Sequence, residues 1–147
     1  MNHLQSFEEY KKVKLNEGFF SKKEKFNNIH EFTKEWFTTL DNNVKKWFDT
    51  VFDSNLPTKI GTHGLKLSYG QILDEMDDIA EHGKTDYQYL PIIKILNGDI
   101  LCIDLDDKKF PVNIFSHEDD FSKNKKIYNS VFDINKNTKI DSSVSYY

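Results

Sequence analysis

The sequence has 147 residues, of which 37% are hydrophobic and 14% aromatic, with 12 Phe, 7 Tyr, 2 Trp and only 3 Pro. That is enough for a single domain, 1–147, with a real core, and it excludes a disordered or collagen-like chain. One cysteine excludes a disulfide scaffold and any cysteine-rich zinc module. No run approaches the ~20 apolar residues that a membrane span needs. The start, Met1 to Phe7, lacks the basic and apolar regions of a signal peptide, so a soluble, cytoplasmic protein is expected.

The formal charge of −4 conceals an asymmetry: residues 1–66 carry +2, residues 67–122 carry −9 and residues 123–147 carry +3. So acidic a middle is unsuited to phosphate backbones, and no nucleic-acid or membrane partner is expected. It suits a basic protein, because opposite fields speed encounter and suppress wrong docking. All the basic residues are lysine, which lacks the rigid fork of arginine that clamps carboxylate or phosphate.

In chain order, Ser6-Phe7-Glu8-Glu9 has capping-box spacing for a short helix, while Val13-Lys14-Leu15 before Asn16-Glu17-Gly18 reads equally as strand and turn. From Glu31 to Phe52 the pattern is helical. Phe32, Trp36, Phe37, Leu40, Val44, Trp47, Phe48, Val51 and Phe52 recur at threes and fours, and Asn42-Asn43 is a place where this run would divide in two. Pro57 ends the run. Gly61 and Gly64 mark an irregular connection before a short strand, Leu65-Lys66-Leu67. Ser68 and Gln71 have capping-box spacing for a second helix, with Tyr69, Ile72, Leu73, Met76, Ile79 and Ala80 inward and Gly83 at its C-cap. The solvent face of that helix carries Asp74, Glu75, Asp77, Asp78 and Glu81, a like-charge arrangement that does not stabilise a helix.

The period then switches to two. Tyr87–Leu96 and Asp99–Leu105 flank Asn97-Gly98, which predicts a two-residue type I′ hairpin turn. Such a turn would pair Ile95 with Ile100, Ile93 with Cys102 and Ile92 with Ile103. Both faces are apolar near the turn, so both are expected to be covered. Asp106 to Lys109 form a second turn, and Phe110–Phe115 a third antiparallel strand. Pro91 and Pro111 belong at strand starts, bulges or edges. Ile127 to Ile134 reads as either helix or strand, and the polar residues from about 135 are expected to be loosely held. The whole predicts an α+β domain: an antiparallel sheet of about four to six strands with packed helices.

Tyr89-Leu90-Pro91, then Gly98-Asp99, then Ile100-Leu101-Cys102-Ile103-Asp104, Pro111-Val112 and His117-Glu118-Asp119 follow one another in an order and spacing that resemble the SMI1/KNR4 (SUKH) superfamily. The segment after Leu56-Pro57 and the residues after Phe121 depart from that pattern. The resemblance implies an SMI1/KNR4-like α+β fold. It also implies an immunity protein that binds and neutralises a cognate toxin, often a nuclease, or, as in fungal members, a regulator of an endogenous partner. Nuclease toxins tend to be basic, which accords with the acidic middle of this chain.

The residues expected to meet such a partner are Asp74, Glu75, Asp77, Asp78, Asp104, Glu118 and Asp119. Asp104 closes an apolar strand, where an unpaired carboxylate is costly, and the family carries an Asp at the matching place. Trp36 and Trp47 are candidate partner anchors as well as core residues. The competing reading is a small metal-assisted hydrolase built on His117, Glu118 and Asp104. The five histidines share no ligand spacing, however, Asp106 and Asp107 read as turn residues, and Cys102 has no positioned base. No catalytic residues, metal or cofactor are therefore expected: the sequence reads as a binding module rather than an enzyme, with a cognate toxin or other basic protein as partner.

Overall fold

The computed structural model describes residues 26–83 and 87–147; the expected elements at Ser6–Glu9 and Val13–Leu15 lie outside these residues. Among the described residues, helices α1 (Ile29–Glu35) and α2 (Asn42–Trp47) come first, and α2 runs into a π-helical turn, Phe48–Phe52. Strands β1 (Lys59–Ile60) and β2 (Gly64–Lys66) precede the long helix α3 (Tyr69–Gly83). Then come β3 (Tyr89–Ile95), β4 (Ile100–Asp104), β5 (Val112–Phe115) and β6 (Asn124–Tyr128). Short 3₁₀ turns at His117–Asp119 and Val131–Asp133 flank β6. The six strands form one sheet in chain order, antiparallel throughout, so the expected α+β class and strand number hold.

The aromatic run divides just before the asparagine pair. Asp41 accepts from the backbone N–H of Asn43 (2.8 Å) and Val44 (3.2 Å), so it caps α2 and makes Asn42-Asn43 its first turn. Phe32, Phe37, Val44, Phe48 and Phe52 are buried, and Phe32 and Phe48 both meet Tyr69 at the start of α3. Trp36 and Trp47 are buried too, and the Trp47 indole donates to the Ile134 carbonyl (2.9 Å); both are core residues, not exposed anchors. The capping box at Ser68 forms reciprocally, Ser68 N–H to Gln71 Oε1 at 2.9 Å and Gln71 N–H to Ser68 Oγ at 3.3 Å.

The hairpin register departs from expectation by one residue. Lys94 opposes Ile100 and Ile93 opposes Leu101, because the loop holds three residues, Leu96 to Gly98, and Ile95 N–H donates to the Asp99 carbonyl (2.8 Å). A type I′ turn needs positive φ at both central residues. Gly98 has φ +104°, but Asn97 is not in the left-handed region. Asn97 instead uses its side chain to accept from the Asp99 N–H (2.9 Å), which favours a wider loop closed by the glycine. A bulge between Pro91 and Ile93 shifts the pairing by one more residue, setting Leu90 opposite Ile103 and Tyr89 opposite Asp104, where the two-residue turn would have set Ile92 opposite Ile103.

Both faces of the sheet are covered, as expected. Leu101, Ile103, Val112 and Ile114 join the main core with the aromatic residues of α1 and α2. On the other face Ile100, Cys102 and Phe115 meet Ile79 of α3, and Lys94 pairs with Glu75 at 3.2 Å. The polar residues after Asn135, expected to be loosely held, are seated at two places. Ile140 is fully buried, and its carbonyl accepts from the N–H groups of Thr62 (3.0 Å) and His63 (2.9 Å). Farther on, the Tyr146 N–H reaches Asp99.

Candidate functional site

Among the described residues a polar cluster forms where the β3–β4 loop meets the 3₁₀ turn after β5. Ile100 pairs with Phe115, so the residues just beyond, Asp99 and Ser116–His117, are brought to the same end of the sheet. The Asp99 side chain is only 2% exposed. One of its oxygens accepts from the His117 backbone N–H (3.0 Å) and lies 2.6 Å from His117 Nδ1. The other accepts from Asn97 Nδ2 (3.3 Å) and the Tyr146 N–H (3.4 Å). Burial pushes the carboxyl pKa up, but these hydrogen bonds, led by the His117 side chain, outweigh it and hold Asp99 below the usual carboxylate range. An ionised carboxylate can only accept, so the proton of the imidazole sits on Nδ1. Gly98 makes room for the ring: a Cβ there would come 3.0 Å from His117 Cγ.

Asp119 sits beside this pair. It accepts from Ser116 Oγ (2.9 Å) and from the Tyr147 hydroxyl, with Lys123 Nζ at 3.6 Å. The Tyr147 and Ser116 hydrogen bonds hold its carboxyl below the ordinary value. Ser116, fully buried and committed to Asp119, is not a poised nucleophile. Burial raises the Cys102 thiol well above its usual pKa, so the thiol stays protonated among Ile79, Ile100 and Phe115.

Asp104 lies at the far end of β4, about 16 Å of strand from Asp99 at ~3.3 Å per residue. There it accepts from Gln88 Nε2 (3.2 Å) and the Asp106 N–H (3.0 Å), which fixes the turn that follows. The expected grouping of His117, Glu118 and Asp104 is therefore not assembled: the histidine and Asp104 sit at opposite ends of one strand. Among the described residues no group of three or more His, Cys, Asp or Glu is arranged to hold a metal ion.

The remaining acidic residues are on α3. Its buried stripe is the expected one, Tyr69, Ile72, Leu73, Met76, Ile79 and Ala80. Asp74, Asp78 and Glu81 are exposed, Asp77 is half-buried, and Glu75 is engaged by Lys94. Burial first, then the neighbouring charges of Asp77, Asp74 and Glu81, raise the Asp78 pKa against the opposing pull of His82. The seven expected contact residues thus fall in three places: α3, the end of β4, and the 3₁₀ turn with Glu118 and Asp119. Asp104 shares the sheet face of Ile100 and Cys102, the face that α3 covers.

Asp99, Tyr146 and Tyr147 were not singled out as site residues. Asp99 could have been found from the β4–β5 register, which brings it level with Ser116. No sequence pattern announces that Tyr146 and Tyr147 return to that corner. Compared with known proteins, the chain matches no family model, no curated protein and no solved structure.

Proposed function

We propose that this chain is a protein-binding module that docks a basic partner on the acidic face of α3, and that it acts as a stoichiometric inhibitor of a cognate, nuclease-type toxin. The observation that carries the docking surface is the crowding of carboxylates around Asp78, whose proton affinity is raised by burial and by Asp77, Asp74 and Glu81. A cationic surface laid on this face relieves repulsion that the free protein sustains, so part of the binding energy is already stored in the unbound state. The toxin-inhibitor form of the reading rests on the SMI1/KNR4-like residues between Tyr89 and Asp120.

The test is a side-by-side capture from the native organism's lysate with tagged wild type and an Asp74→Asn/Asp78→Asn/Glu81→Gln variant, washed at low and high salt. One basic protein held stoichiometrically by wild type, released by salt and lost with the variant is the expected result. A partner retained equally by a folded variant overturns the α3 surface. A captured protein with no toxic activity that the module suppresses overturns the immunity reading while leaving the surface in place.

A further inference from the structure

The sheet has two outer strands, the two-residue β1 and the longer β6. In β6 the pairing alternates in a way that can be read off its neighbours. Ser116 N–H donates to the Lys123 carbonyl (3.0 Å), so Ser116 and Lys123 face each other through hydrogen bonds, and with the register Phe115↔Asn124 and Asn113↔Lys126 the backbone of Asn124 and Lys126 points away from β5. Among the described residues nothing pairs with those outward N–H and C=O groups. Among the described residues, then, this edge is an open template for another strand.

Two further features mark what would pair there. Alongside β6 lies a groove of about 280 Å³ lined by Lys125, Ile127, Tyr128 and residues 143–145, with room for side chains of an added strand. The segment from Lys123 to Ser130 has no acidic residue and carries Lys126, Lys125, whose ammonium lies over the Tyr146 ring, and Lys123, which is 3.6 Å from Asp119. The three lysines are exposed. A second copy pairing edge to edge would bring both sets of lysines together, so charge disfavours self-association and favours an acidic chain.

We propose that the outer edge of β6 is a strand-addition site for an extended, acidic segment of another protein, with backbone hydrogen bonds at Asn124 and Lys126 and alternate side chains entering the groove beside Tyr128. This edge is a different surface from α3 and selects the opposite charge, so it stands or falls independently of the docking surface proposed above.

The probe is a short fluorescein-labelled peptide alternating Glu and Val, with a Lys/Val peptide as its control. Anisotropy should show salt-sensitive binding of the Glu/Val peptide alone, and amide NMR shifts should centre on Asn124 and Lys126. Lys126→Pro removes an outward N–H and no ladder bond, and is expected to weaken binding about tenfold. Lys125→Glu with Lys126→Glu leaves the backbone intact and should transfer the preference to the Lys/Val peptide, which decides the matter even if the proline variant does not fold. No binding, equal binding of both peptides, or shifts centred away from β6 overturns the proposal.

Discussion

Asp99 concentrates more of the architecture in one side chain than any other described carboxylate. Three segments that are distant in sequence, the β3–β4 loop, the 3₁₀ turn and the residues around Tyr146, all donate to it. Asp99→Ala leaves two backbone N–H groups and an imidazole N–H without an acceptor in a buried corner, and is expected to cost about 2–4 kcal/mol in urea unfolding. The pH dependence has a defined sign. A folded pKa below the unfolded value of about 3.9 means that the stabilisation is complete above that value and is lost as pH falls through the lower, folded one. The stability gap between wild type and Asp99→Asn should therefore be constant near neutrality and shrink below about pH 4; a gap unchanged down to pH 2 would contradict the assignment.

At the scale of elements, the contact between Ile140 and the β1–β2 connection depends on a missing side chain. Gly61 has φ +67°, and a Cβ on it would come 2.4 Å from both the nitrogen and the oxygen of Ile140. Backbone cannot yield as a flexible side chain can, so Gly61→Ala combines a left-handed penalty with a steric one. A loss of about 2–4 kcal/mol in thermal or urea unfolding is expected, whereas a change under about 0.5 kcal/mol would show that the segment shifts freely. Elements with strong periodicity were legible in the sequence: the stripe of α3, its Ser68–Gln71 box, the aromatic run and the alternating strands. Two details were not. The division expected at Asn42-Asn43 occurs, but its boundary is set by Asp41, a cap that competes with nothing in the hydrophobic pattern, and the hairpin loop is set by the Asn97 side chain reaching the Asp99 N–H. Asn-Gly signalled a turn correctly; which φ the asparagine adopts depends on that local hydrogen bond, and one residue of loop length moves Ile93 to the other sheet face.

Across the whole molecule, charge is sorted by element. The acidic residues gather on α3 and at the sheet ends, while lysines line β6, a separation already visible as the −9 and +3 segments of the sequence. The sequence could not show that the expected contact residues are divided among three places, because that depends on β4 setting Asp99 and Asp104 at its two ends. Nor could it show that Asp119 is engaged by Ser116 and Tyr147 instead of being left to a partner. Among the described residues α3 keeps Asp74, Asp78 and Glu81 together on an exposed face, which is why the docking proposal contracts to that helix.

The corner around Asp99 also has a consequence for how the native state is expected to open. His117 and Tyr146 are far apart in sequence, yet their amides are held by the two oxygens of one carboxylate. If that corner opens as a unit, both amides become exposed to solvent in the same event and exchange hydrogen for deuterium with a common opening free energy. Asp99→Asn should lower the protection of both together and leave amides in the middle of β4 unchanged; separate losses at the two positions would show that they belong to independent openings. Joint loss at the two amides would mean that a single side chain ties the residues around Tyr146 and the β3–β4 hairpin into one cooperative unit, whose breathing is set by one acid rather than by the length of chain between them.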